Sequence, residues 1–159
     1  MSLTENNQIE ENIIDLNLDG IKKQKFRING EPGAIIELNL SDLNIVDRLK
    51  KGMKQLQEEV SKIPNIDSVD EENLQETLDE IDAKMRKSVD YIFDFPVSAV
   101  CAKSGTMYDV KDGKLRYEII LDGLTKLYEE NIQTEYKKFQ SRIQKHAGKY
   151  TATPKKKKD

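Results

Sequence analysis

A small α+β fold, predominantly helical, is what this 159-residue chain predicts. Three observations carry the prediction. Apolar and polar residues alternate within residues 12–40, three later stretches place apolar residues at helical spacing, and glycine- or proline-bearing turns separate them. Residues 1–11 are polar and expected to be flexible, and 12–147 form a single domain.

The alternation begins with Ile14, Leu16 and Leu18 set between Asp15 and Asn17, which suits a half-buried strand. Asp19-Gly20 is a two-residue hairpin signal, because both positions must accept a positive φ. A second strand is expected around Lys25 to Ile28, then a turn at Asn29 to Gly33. Ala34, Ile36, Leu38 and Leu40 supply the inward row of a third. The expectation is therefore an N-terminal three-stranded antiparallel meander over 12–40, covered on its apolar face by helices.

Ser41 is a candidate cap for a helix over about 41–63, with Leu49, Met53, Leu56, Val60 and Ile63 along one face and Pro64 as its stop. Ser68 followed by Glu71 has capping-box spacing. The helix it opens, about 69–94, carries Leu74, Leu78, Ile81, Met85, Val89 and Ile92. Pro96 interrupts, and a turn-rich loop follows the short apolar piece Val97 to Cys101. A third main helix over about 114–146 offers Ile120, Leu124, Leu127, Ile132, Tyr136, Phe139 and Ile143 for burial. Residues 148–159 read as an unstructured basic tail.

Composition narrows the function classes. Hydrophobic residues make up 36% and charged residues 35% of the chain, against a usual charged share of about a quarter, so the core is lean and the surface strongly ionic. Little apolar area is left over for a deep ligand cavity. The net charge of −3 hides an asymmetry. Residues 1–20 hold Glu5, Glu10, Glu11, Asp15 and Asp19 with no base, and 64–83 hold eight acids with no base. Lys137, Lys138, Arg142, Lys145, Lys149 and Lys155 to Lys158 reverse the sign at the other end. Self-association, an acidic partner, or simply two solvated faces all fit this distribution.

Catalytic constellations are not legible. His146, the single histidine, has no acidic neighbour in sequence, and Cys101 sits among small apolar residues as a buried thiol would. One histidine and one cysteine do not make a zinc site, and the carboxylates of 67–82 lack the spacing and central glycine of an EF-hand. The expectation is no enzyme, no metal and no cofactor. Nucleic acid is not the expected partner either, because a sequence pI of about 5.4 outweighs the terminal lysines. One cysteine, no leader-like start and no run long enough to span a bilayer point to a cytosolic protein that is not secreted. What remains is a surface for other polypeptides. The candidate interface residues are Leu49, Met53, Leu56, Leu74, Leu78 and Ile81 on the helical seams, and Lys137, Lys138, Arg142 and Lys145 on the basic end. For each seam residue, plain core packing is the competing reading.

Several segments, in this order, resemble small phage proteins of Gram-positive hosts. They are Phe26-Arg27-Ile28-Asn29-Gly30, Ile36-Glu37-Leu38-Asn39 and Ser41-Asp42-Leu43-Asn44. Val89 to Asp94, Val100-Cys101, the Ser104-to-Tyr108 loop, Lys114 to Glu118 and Lys145 to Tyr150 continue the likeness, which covers residues 24–150. None is a catalytic signature. The group is that of tail assembly chaperones of long-tailed phages and prophages. The resemblance implies a non-enzymatic protein of the bacterial host cytoplasm that binds the tape-measure protein, helps recruit the major tail protein, and is absent from mature virions. It also implies a second, longer product by frameshifting, for which an adenine run encoding Lys155 to Lys158 would serve; an ordinary soluble tail explains the lysines equally well. Homo-oligomers are compatible with this reading. The alternatives are a structural tail or connector subunit and a regulatory or host-interaction protein.

Overall fold

A computed structural model describes residues 12–18, 20–21 and 23–155, the last ten through the backbone alone. Strands β1 (Gln24–Arg27) and β2 (Ile35–Leu38) form an antiparallel hairpin in which Phe26 faces Ile36. Helix α1 (Ile45–Val60) follows, then a 3-10 turn over Ile63–Ser68, helix α2 (Glu71–Phe93) and the short α3 (Val97–Ala102). A second small hairpin, β3 (Val110–Lys111) with β4 (Lys114–Leu115), leads into the 40-residue α4 (Arg116–Lys155). The described residues are mostly helical with small two-stranded sheets, so the predominantly helical α+β expectation holds.

The three-stranded meander does not. Two of its strands form, and Ala34, Ile36 and Leu38 are buried as the alternation requires. The first strand is missing: residues 13–18 make no ladder and every side chain there is exposed. The physical reason is a lack of somewhere to dock. β1 turns only Phe26 toward the core and leaves its other residues in solvent, so no apolar face extends beyond it. Asp19 of the expected Asp19-Gly20 turn, and the stretches 1–11 and 156–159, lie outside the described residues.

Local polar chemistry shifts the helix starts. Asn39 Oδ1 accepts from the Ser41 amide at 3.1 Å and Asp42 Oδ1 from the Asn44 amide at 2.9 Å. These side chains hold the segment in turns. Helix α1 therefore begins at Ile45, with Asn44 rather than Ser41 as its cap. It stops at Val60, and Pro64 sits in the first turn of the 3-10 piece. Ser68 is not the cap of α2 either. Its hydroxyl donates to Asn65 O at 2.7 Å, and Asp70, in extended geometry, occupies the cap position. At the far end α4 is helical through Lys155, beyond residue 148 where an unstructured tail is expected.

The core gathers around α2. Ile81, Met85, Val89, Ile92 and Phe93 are buried against Leu56 of α1, Ile36 and Leu38 of β2, and Tyr117, Ile120, Leu121, Leu124 and Tyr128 of α4. Where α1 crosses α2, Gly52 leaves the space filled by the Ile92 side chain. Ser88 Oγ, donating to Gln55 Oε1 at 3.0 Å, ties the same two helices. Among the described residues no helix is long and apolar enough to cross a membrane.

Two glycines of opposite setting test this packing. A Cβ at Gly52 would overlap Ile92, which is fully buried and cannot swing clear, whereas one at Gly123 on α4 meets nothing within 4 Å. Overpacking costs about 1–3 kcal/mol, against about 1 kcal/mol gained by replacing a helical glycine with alanine. Gly52→Ala is expected to lower the urea midpoint by a net loss of about 1 kcal/mol, and Gly123→Ala to raise it by up to about 1 kcal/mol. Equal stabilities would mean that the two helices do not approach this closely.

Candidate functional site

The stripe that packs α4 onto the core does not end where the core ends. Tyr117, Ile120, Leu121, Leu124 and Tyr128 are buried, Leu127 and Ile132 are half-buried, and every residue from 133 to 145 is exposed. Tyr136, Phe139 and Ile143 continue the stripe at 57%, 55% and 48% exposure. The helical spacing correctly places all of them on one face; the expectation that the last three are buried is overturned. A 40-residue helix is about 60 Å long, more than this small body can cover.

A groove of about 420 Å³ lies where α4 leaves the body, lined by Ser41, Leu43, Asn131, Ile132, Glu135, Tyr136 and Phe139. Leu43 enters it from the turn before α1 and is 66% exposed, and Val46 beside it is equally uncovered. Burying one such side chain contributes roughly 1.5–3 kcal/mol, so this row is a substantial unused source of binding energy. Lys137, Lys138, Arg142 and Lys145 are on the same half of α4, all exposed; at helical spacing Arg142 flanks the seam and the three lysines lie on the faces turned away from it. Lys138 reaches Glu135 at 3.7 Å, a solvated pair of little energetic weight.

The root of the groove is held rigidly. Asn131 Nδ2 donates to Leu40 O at 3.1 Å, fastening α4 to the segment before α1. Arg48 donates from Nε to Ile92 O at 2.9 Å and pairs through Nη2 with Asp42 Oδ2 at 2.9 Å, both side chains being largely shielded from solvent. Tyr128 packs against Phe93 with ring centroids 6.1 Å apart. Burial first, and then the Asp42 and Asp94 charges against an opposing Arg48, push its hydroxyl up to about 12. It therefore stays neutral and serves packing.

Of the residues singled out from sequence, Leu56 and Ile81 are fully buried and their surface is consumed within the fold, which corrects their assignment as partner contacts. Leu49 and Met53 are half-buried and packed against the core. Leu74 and Leu78 are half-buried on the first half of α2, and the four basic residues are on the projecting half of α4. The two sets do not meet in one site. Sequence reasoning missed Leu43 and Val46; their only signal is an apolar residue just outside a helix start, too common to act on.

A second recess, of about 450 Å³, lies between the first hairpin and α4 and is lined in part by Ile28, Cys101, Asp109, Arg116, Ile120 and Leu124. Its bounding loop is built on α2. Asp82 accepts from the Met107 amide at 2.7 Å and from Arg86 Nε at 2.8 Å, while Arg86 also donates to the carbonyls of Lys103 and Gly105. Asp90 holds the start of α3, accepting from the amide and hydroxyl of Ser98 at 2.8 and 2.9 Å. Asp109 accepts from the Thr106 hydroxyl and amide and from Arg116, contacts that hold its carboxyl down at about 2. Burial, aided by the Asp90 charge, pushes the Cys101 thiol up, so the nucleophilic thiolate is disfavoured. The two groups shift away from neutrality in opposite directions, and neither is tuned for proton transfer near neutral pH. Among the described residues no three His, Cys, Asp or Glu side chains converge as a metal site. The side chain of His146 lies outside the description.

The chain matches none of the family models, curated proteins or solved structures with which it was compared.

The Asp109 contacts have a pH consequence. Its carboxyl lies below its ordinary 3.8 in the folded chain, so the loop gains stability above that value and loses it as pH falls toward about 2. Because the side chain is partly exposed, solvent screening keeps the effect small. In a pH titration followed by NMR, the Thr106 amide proton should shift with a midpoint near 2, and Asp109→Asn should abolish the transition. A midpoint at 3.8 would show that the loop contacts do not persist in solution.

Proposed function

We propose that this protein is a non-enzymatic tail assembly chaperone that holds a helical, apolar client, the tape-measure protein, on the projecting half of α4 and helps recruit tail-tube subunits. The reading rests on one observation above the others: Leu43, Tyr136, Phe139 and Ile143 are uncovered apolar side chains, and the first three line the groove where α4 leaves the body. Three large apolar side chains left uncovered on one helix face offer a surface that a partner can bury. An amphipathic client helix recognises such a row through a few apolar anchors spaced along it.

The basic residues on the same half of α4 keep the free protein soluble. The resemblance in segment order over 24–150 supplies the tail-assembly context. In this reading the protein acts in the cytoplasm of the bacterial host and leaves before the particle is complete.

Co-expression with the tape-measure product is the test. The wild-type chain should keep that client soluble and co-elute with it. Tyr136→Asp and Phe139→Asp, both at exposed positions, should each weaken the complex by roughly tenfold or more without changing the unfolding midpoint. A client whose solubility and elution ignore the protein would refute the chaperone role. Abundant peptides of this chain in purified mature particles would favour a structural tail or connector component instead.

A further inference from the structure

We infer that the recess between the first hairpin and α4 binds a small apolar monocarboxylate, an aliphatic or aryl acid, independently of the groove beside Leu43. Its volume of about 450 Å³ is that of a small-ligand site. The floor is one face of α4, where Arg116, Ile119, Ile120, Gly123 and Leu124 recur at helical spacing. Ile28 of the first hairpin and Val110 of the second also line it. Ile119 and Val110 are 44% and 68% exposed, so apolar surface remains there for a ligand to cover.

Gly123 helps to keep the floor open. A glycine inside a helix is destabilising, and a close approach such as that of Gly52 to Ile92 is the ordinary compensation. Gly123 has none. A Cβ there meets nothing within 4 Å, and its φ is not positive, so neither packing nor backbone geometry requires a glycine. The missing side chain leaves space over the stripe instead.

The polar lining selects the charge of the ligand. Asp109 is its one acid, and that carboxylate is already engaged. It accepts from the Thr106 amide at 3.0 Å, the Thr106 hydroxyl at 2.6 Å and Arg116 Nη2 at 2.9 Å. Arg116 also donates from Nε to Thr106 O at 2.8 Å, which leaves Nη1 without a partner among the described residues. The Lys111 ammonium makes no ion pair and the Asn29 side chain no hydrogen bond among those residues. Open donors beside an apolar floor suit a carboxylate with an apolar body. An amine would face Lys111 and Arg116, and a phosphate dianion would lose hydration against Ile119 and Val110.

Titration of the full chain with octanoate tests the proposal, followed by amide NMR and by iodoacetamide alkylation of Cys101. Cys101 lines the recess and is the single cysteine of the chain. Octanoate should shift the Asn29, Val110 and Gly123 amides along one saturable curve and slow the alkylation, whereas octylamine should do neither. Lys111→Glu, at an exposed position, should weaken octanoate by roughly fivefold. Gly123→Leu should fill the recess and abolish the response without lowering the unfolding midpoint. These outcomes do not depend on a role in tail assembly. Shifts centred on Tyr136 to Ile143, equal binding of octylamine, binding unchanged by Gly123→Leu, or no saturation would each overturn the assignment. A response to a peptide ending in a leucine carboxylate, with none to octanoate, would give the recess to a polypeptide terminus and overturn it as well.

Discussion

At the crossing of α1 and α2, Gly52 makes room for the Ile92 side chain, and the rest of the core is arranged around that close approach. With the two helices drawn together, Leu56 and Ile81 lose all contact with solvent, and β2 is left to cover the core with Ile36 and Leu38. Interiors pack at near-crystalline density, so the position of α2 determines what every other element can reach. The same helix is also the post for the irregular region. Its polar edge presents Asp82, Arg86 and Asp90, which satisfy backbone groups of the 98–107 segment that has almost no ladder of its own.

A lean core has a consequence at the other end of the molecule. The supply of buried partners for α4 runs out near Tyr128, while its amphipathic stripe runs on. In isolation such a helix wins little from propensity alone, and its stability rests on whatever covers the stripe. The Asn131 contact with Leu40 anchors its last packed turn to a segment that the Arg48–Asp42 pair holds beside α1, and the uncovered half projects from there. A projecting, pre-positioned helix loses less freedom on binding than a floppy one, which suits it to capture another polypeptide. The cations on the other faces of this half of α4 add solubility.

The acidic cluster of 64–83 looks different once folded. As a sequence it reads as a bare excess of negative charge. In three dimensions Glu71 and Glu72 occupy the first turn of α2, where they complement the helix dipole, and Asp82 is committed to the loop. Asp15 and the Lys137–Lys145 group stand in solvent, with Lys138 in a solvated pair with Glu135.

The periodicities by themselves determined much of this protein. Spacing of three and four placed Leu49 to Val60, Leu74 to Ile92 and Ile120 to Ile143 on helices, and alternation placed Ile36 and Leu38 inward, because local backbone geometry dictates which side chains share a face. Only the tertiary structure decided which of those faces are covered. Ile14, Leu16 and Leu18 alternate as well as Ile36 and Leu38 do, yet they lie in solvent, since β1 offers no apolar neighbour for a third strand. Phe139 and Leu124 share one stripe, yet one is exposed and the other buried, because the body under α4 ends between them. Amphipathicity is written in neighbouring residues, whereas burial depends on how far a distant part of the chain extends.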